Sequence, residues 1–251
     1  MTAKATYPSL AGRAALVTGG ASGIGEAIVR GLVRNAASVA FIDIDRDAGE
    51  ALAAELGEHA HFVACDLTDV VALRSAVGDA ESLLGPIRAL VNNAANDQRF
   101  GLEQITPEQW DASQAVNLRH QFFVTQAVLP GMKGAGGGTV VNLSSIAWQI
   151  GISDLVPYAA AKAAVWGITK TLGGVLGEHG IRVNAVAPGA VMTPRQLRLW
   201  HTQESTERAV EAQALHASIV EDDVADAVLF LSSDDSRMIT KQCLTVDGGA
   251  L

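Results

Sequence analysis

The sequence predicts an α/β fold: a single doubly wound parallel sheet of about seven strands with helices on both faces. Three observations carry this. Short apolar runs of strand length alternate with helical stretches from residue 14 to the last residues, and parallel strands joined by crossover helices are the economical solution. The first run leads at once into a glycine-rich loop and a helix. No linker, repeat or low-complexity tract divides the 251 residues, so they read as one domain, residues 1–251.

The elements follow in order. Ala14 to Val17, ending at Thr18, is a buried-type strand. Gly19-Gly20-Ala21-Ser22-Gly23-Ile24-Gly25 comes next, then Ile28, Val29, Leu32 and Val33 at helical spacing. Strand, glycine loop and helix N-terminus form a phosphate cradle, because the backbone approaches closely and the helix offers free N–H groups. The spacing is G-x-x-x-G-x-G rather than G-x-G-x-x-G, and its place at the head of a βαβ unit points to a dinucleotide. Strand two, Ser38 to Ile42, ends at Asp43, 18 residues after Gly25. A carboxylate there accepts from ribose hydroxyls and repels a 2′-phosphate, which favours NAD over NADP. Arg46 is the opposing feature, and Asp45 and Asp47 flank it as local partners.

A helix through Ala48, Ala51, Leu52 and Leu56 leads to strand three, His61 to Cys65, with Asp66 at its end. Val70, Leu73, Val77, Ala80 and Leu84 mark the next helix, stopped by Gly85-Pro86. Strand four, Ala89 to Val91, runs into Asn92-Asn93-Ala94-Ala95 at a sheet end where ligands bind. Thr106-Pro107-Glu108-Gln109 is a capping box with proline at N1, opening a long helix that ends near Pro130-Gly131. Asn117 lies in its middle, where asparagine is disfavoured. Strand five, Thr139 to Leu143, delivers Ser144 and Ser145. The following helix, to about Gly177, carries small residues (Ala160, Ala163, Ala164, Gly167) suited to close packing between subunits. Strand six, Ile181 to Ala187, is closed by Pro188-Gly189, and residues 190–217 are a less regular covering segment. A last helix, Asp223 to Ser232, precedes strand seven, Leu244 to Val246.

Within the Ala-rich helix, Tyr158 and Lys162 stand at i and i+4 and project from one face. A free tyrosine has a pKa of about 10, and a nearby ammonium moves it down. The pair is therefore a general acid/base for a hydroxyl or carbonyl.

Composition narrows the partners. A net charge of −9 and a pI near 5.1 argue against nucleic acid and anionic membranes. Two distant cysteines, Cys65 and Cys243, read as a reducing compartment without a disulfide framework. The first twelve residues hold no signal-type apolar run, so a cytoplasmic protein is expected. The six histidines, His59, His61, His120, His179, His201 and His216, show no ligand spacing, and no metal site is expected.

Taken in order, the motifs resemble those of the short-chain dehydrogenase/reductase family over essentially the whole chain. They are Thr18 to Gly25, Cys65-Asp66-Leu67, Asn92 to Ala95, Val116-Asn117-Leu118, Asn142 to Ser145, Tyr158 to Lys162, and Arg182 to Gly189. Ala95 stands where the family usually has glycine. The resemblance implies a Rossmann-type fold and a site assignment. Tyr158 is the acid/base, and Lys162 lowers its pKa and holds the nicotinamide ribose. Ser145 holds the reacting oxygen, and Asn117 anchors a relay water. Gly19, Ser22, Gly23, Ile24 and Gly25 cradle the pyrophosphate. Asp66 and Leu67 meet adenine, and Asn93 and Ala94 the ribose side. Pro188, Gly189, Val191 and Thr193 surround the nicotinamide. It also implies a homo-oligomer, commonly a tetramer.

Three stretches follow strand ends and are expected to line a substrate pocket: residues 96–99, 146–156 and 192–201. Among their members, Asn96, Asp97, Arg99 and Arg195 with Trp148 suit a polyol. Asn92 to Arg99, Val116 to Phe123 and Thr193 to Gln196 are similar to bacterial aldose 1-dehydrogenases acting on pentoses and deoxyhexoses. That similarity implies oxidation of an anomeric hydroxyl to a lactone with NAD. Alternatives are a reductase of 3-oxoacyl or other ketones, and a dinucleotide-sensing protein without catalysis. A sensor has no need of Ser145, Tyr158 and Lys162 together.

Overall fold

A computed structural model describes residues 4–200 and 202–251; the histidine at 201, weighed above as a ligand, lies outside the described residues. Seven parallel strands form one sheet in the order β3-β2-β1-β4-β5-β6-β7. They are β1 Ala14–Thr18, β2 Ser38–Asp43, β3 Ala60–Ala64, β4 Ala89–Asn92, β5 Gly138–Leu143, β6 Ile181–Pro188 and β7 Cys243–Val246. The helices are α1 Gly23–Arg34, α2 Arg46–Leu56, α3 Val70–Leu84, α4 Pro107–Gln114, α5 His120–Gly134, α6 Ala147–Ile150, α7 Val156–Leu176, α8 Pro194–Leu199, α9 Gln203–Glu211 and α10 Glu221–Ser232.

Alternate strand residues face opposite layers, so both faces of the sheet are dry. Ala15, Val17, Val39 and Phe41 join α1 and α10 in one core, while Leu16, Ala40 and Ile42 join α3 and α5 in the other. Chain order reverses between β1 and β4, and the crevice at their C-terminal ends is where such sheets bind ligands.

The structure departs from the sequence-based expectation in several places. Strand three begins at Ala60, one residue early. In α2 the apolar stripe is Gly49, Leu52, Ala53 and Leu56, and Ala51 faces solvent. The long helix does open with the Thr106–Gln109 capping box, but it does not stop at Pro130. A proline so close to the end removes one bond without blocking the last turn. Residues Ala115–Arg119 form a π-helical turn between α4 and α5, so Asn117 does not sit in a regular helix. Residues 190–217 are largely helical, as α8 and α9, each opened by a threonine cap, Thr193 and Thr202.

Candidate active site

A cavity of about 850 Å³ runs along the C-terminal ends of the strands. One end is made by the glycine loop. Gly19 has φ +65, and a Cβ there would lie 2.7 Å from Ala94 Cα; one on Gly25 would lie 1.8 Å from Gly19 O. Only glycine fits either place. The β1 and β4 ends are stitched together, with Thr18 Oγ1 accepting from Asn93 N at 3.0 Å and Ala94 N at 3.1 Å. Asn93 Nδ2 donates to Thr18 O at 3.1 Å and Gly19 O at 2.9 Å, so its amide is fixed beside the loop. Asp43 is fixed as well, Oδ2 accepting from Ala21 N at 3.0 Å and Oδ1 from Asp45 N at 3.1 Å. Arg46 pairs with Glu50 at 3.3 Å, not with Asp45 or Asp47; Asp45 instead caps α2 by accepting from Ala48 N. Arg46 thus has a partner one helical turn away and does not line the cavity, whereas Asp45 does.

The other end holds the reactive side chains. Ser144 Oγ donates to Lys162 O at 2.7 Å, locking α7 to the end of β5. Ser145 is then free to face the cavity beside Tyr158 and Lys162. Lys162 is 1% exposed and its Nζ donates to Leu143 O at 2.7 Å. Burial holds its pKa down to about 7, while the charge of Asp97 works the other way. Burial pushes the Tyr158 phenol above its usual value, and the Asp97 charge adds to this; Ser145 and Arg195 pull back less. The expected lowering of the phenol by Lys162 is thus not met in the protein alone. Lys162 Nζ sits 5.6 Å from the ring centroid and donates to a carbonyl, while burial leads the rise of the phenol.

Between the two ends, Asp97 is the centre of a polar cluster. It is ion-paired with Arg195, accepts from Gln196 Nε2 at 2.7 Å, and is mostly buried. Burial works to raise its carboxyl, but the bonds from Arg195 and Gln196 prevail and hold it below the usual carboxylate range. Arg195 also donates to Asn96 Oδ1 at 3.1 Å. Arg99 donates to Asp154 at 3.1 Å and stacks 4.9 Å from the Trp200 ring.

Every residue expected along a dinucleotide lines this cavity: Gly19, Ser22, Gly23, Ile24, Gly25, Asp43, Asp66, Leu67, Asn93, Ala94, Pro188, Gly189, Val191 and Thr193. Two expectations for the substrate wall, Asn96 and Trp148, are corrected, and the contacts of Asn117 explain the first. Asn117 does not line the cavity; fully buried, it clamps the next loop, accepting from Asn96 N at 2.8 Å and donating to Asn96 O at 2.9 Å. Asn96 is correspondingly held outside the wall, as a support for Arg195. Trp148 turns away to pack on Trp166, ring centroids 5.8 Å apart, because the short helix α6 points its other side inward. The wall there is apolar instead, made of Ile146, Ile150, Ile152 and Leu155. The stretch 146–156 does line the cavity as expected, but with these apolar members rather than Trp148; the helical spacing of 146 and 150 was the available signal.

The residues present fit a nicotinamide dinucleotide. The N-terminus of α1 opens on the cavity, and the Ser22 hydroxyl at its cap position is not used to cap it. Lys162 has three protons to donate and one protein acceptor. Among the described residues no group of three or more His, Cys, Asp or Glu side chains is placed to hold a metal ion, and no helix is long and apolar enough to cross a membrane.

A Rossmann-type sheet with this site defines a class, and the comparisons agree. A family model described as enoyl-(acyl carrier protein) reductase matches residues 19–250. The chain belongs to the short-chain dehydrogenase/reductase family and is an oxidoreductase acting on CH–OH groups. It is 48% identical over 247 residues to the probable galactose dehydrogenase of Rhizobium meliloti (strain 1021), covering 97% of this chain and 96% of that one. It is 44% identical over 248 residues to the D-xylose 1-dehydrogenase of Caulobacter vibrioides, covering 98% of each. A crystal structure of a candidate short-chain alcohol dehydrogenase from Sinorhizobium meliloti 1021 superposes with a TM-score of 0.92 at 34% identity, over 97% of this chain and 98% of that one. The loops likened above to aldose 1-dehydrogenases are thus matched by relatives named for aldose oxidation.

Proposed function

We propose that this protein is an NAD-dependent aldose dehydrogenase that oxidises the anomeric hydroxyl of a pentose, deoxyhexose or similar aldose to a lactone. The observation that carries this is the Asp97–Arg195–Gln196 cluster in the same cavity as Ser145 and Tyr158. Two acceptor oxygens and a fork of donors suit a substrate with several hydroxyl groups. The two sugar dehydrogenases among its relatives support the same reading.

A bound nicotinamide would supply the hydride acceptor at its C4 position. The rest of the chemistry is the protein's. Gly19 to Gly25 and the α1 N-terminus would hold the pyrophosphate. Asp43 would take the adenosine ribose and Lys162 the nicotinamide ribose. Val191 and Thr193 would fix the carboxamide. Ser145 orients the substrate oxygen, and Tyr158 removes its proton as the carbonyl forms. NAD is preferred because Asp43 is anchored with both oxygens at the end of β2. Asn117 sets the shape of the loop that carries Asp97.

We read residues 1–251 as one such domain, with residues 190–217 covering the substrate. We infer a cytoplasmic homotetramer: the exposed Trp110, Phe122, Ala160 and Gly167 on α4, α5 and α7 suit coverage by other copies. Sedimentation showing a monomer would remove that part.

The isoleucine wall favours a second reading, in which the substrate is a less polar cyclic alcohol. A scan of aldoses and alicyclic alcohols with NAD, read as NADH absorbance, separates the two. Aldose oxidation with lactone as product is expected. Turnover confined to apolar alcohols or ketones would refute the sugar assignment.

A further inference from the structure

A buried amide on the cavity wall has an oxygen with no hydrogen-bond partner among the described residues. Gln213, just past α9, is 3% exposed and lines the same cavity as Tyr158, Lys162 and Arg195. Its Oε1 is buried with no hydrogen-bond partner among the described residues. The backbone around it is firmly held. Gln213 N donates to Val210 O at 3.1 Å, Ala214 N to Gly249 O at 3.3 Å, and Leu215 N to Gly248 O at 3.0 Å.

The C-terminal residues close over this amide. Gly248 has φ +65, and a Cβ there would lie 2.6 Å from Gln213 Oε1, so the backbone abuts the side chain. Asp247 pins the turn, accepting from Gly249 N at 2.9 Å and Leu251 N at 3.0 Å. It also abuts the Pro188-Gly189 turn, where a Cβ on Gly189 would lie 3.0 Å from Asp247 Cα. Gln213 therefore stands beside the turn that leads to Val191 and Thr193.

A buried amide oxygen without a partner is costly, and such groups in native proteins have a reason. The neighbouring polar groups of the cavity also have partners within the protein, Asp97 in Arg195 and Gln196, and Arg99 in Asp154, and Gln213 extends the hydroxyl-binding surface that they begin. Gln213 is left to serve a ligand. A carboxamide donates and accepts, as a hydroxyl does, and carries no charge to attract a phosphate or carboxylate.

We propose that Gln213 hydrogen-bonds a substrate hydroxyl away from the reacting carbon and thereby decides which polyol is accepted. This rests on the sugar reading above. A site built to bond a hydroxyl rejects the analogue that lacks it, because its own buried polar group is then left unpaired.

The test uses one aldose that the parent oxidises, its monodeoxy analogues, and saturating NAD. Parent, Gln213→Leu and Gln213→Glu are compared. The parent is expected to lose roughly 10- to 100-fold in kcat/KM on one analogue, the effect of leaving a single buried acceptor unpaired. Gln213→Leu should lose about as much on the intact sugar, through KM rather than kcat, and little more on that analogue. Gln213→Glu retains an acceptor and should recover part of the loss. Equal losses on all sugars, a changed KM for NAD, or no loss would overturn the proposal. So would a parent indifferent to every deoxy position, a result that needs no variant to fold. A parent that oxidises no sugar at all would instead refute the sugar reading.

Discussion

The two halves of the cavity are built by different means. The half that suits a dinucleotide is made of main chain: a glycine loop, a helix N-terminus, and carboxylate or amide groups tied to backbone N–H and C=O groups within one βαβ unit or the adjoining strand. The half that suits the substrate is made of side-chain pairs from distant segments. Arg195 reaches Asp97 across 98 positions, and Arg99 reaches Asp154 across 55. A main-chain site tolerates many side chains and keeps its ligand; a side-chain site changes its ligand when one partner changes. The family's shared cofactor and varied substrates follow from that division.

The largest expected effect lies where the halves meet. Tyr158→Phe keeps the half-buried ring and removes the proton acceptor, so kcat should fall by ~10²–10⁴ with little change in NAD affinity. Activity within tenfold of the parent would remove Tyr158 from the chemistry.

Next comes the cofactor half. Two like charges ~4 Å apart at an effective dielectric of ~20 repel by about 4 kcal/mol, an upper figure for a 2′-phosphate against Asp43. Preference for NAD should therefore reach at most ~10²–10³ in kcat/KM. Asp43→Ser should erode it mainly by gaining on NADP. A parent equally active with both cofactors would mean that Asp43 does not face the ribose.

The substrate half should respond to Arg195→Met. With its partner gone, Asp97 keeps only Gln196, and sugar KM should rise by roughly tenfold or more while NAD KM stays put. Trp148→Phe, a residue turned toward Trp166, should change sugar KM by less than about twofold. A larger effect from Trp148 than from Arg195 would reverse the assignment of the wall.

The smallest signal is spectroscopic. Burial leads the forces that raise both tyrosines, Tyr7 and Tyr158, so each keeps its proton to higher pH. The ultraviolet titration of the cofactor-free protein should show no tyrosinate below about pH 10. Oxidation nevertheless needs the phenolate, so turnover should rise with pH. Tyrosinate appearing below pH 9 in the free protein would mean that Lys162 lowers the phenol unaided.

The same division explains what the sequence made legible. Gly19 to Gly25, Asp43 and the Tyr158–Lys162 pair are local patterns with fixed spacing, and the structure brings them to one cavity. The sheet follows from alternating short apolar runs. Helices α8 and α9 are short and polar, so periodicity gives them little signal and only their threonine caps mark them. Trp148 and Asn96 were misplaced because loop side chains take their direction from contacts far away in the chain. Gln213 had no local signature; its role emerges only when the last residues of the chain fold back over it.

In the proposed reaction hydride leaves C1 of a sugar as Tyr158 takes the hydroxyl proton. An aldose carrying deuterium at C1, incubated with NAD and the parent enzyme, tests this directly. One deuterium per turnover should appear in the reduced nicotinamide, with a lactone as co-product, and Tyr158→Phe should suppress both together. Deuterium retained in the sugar product, or lost to water, would contradict it.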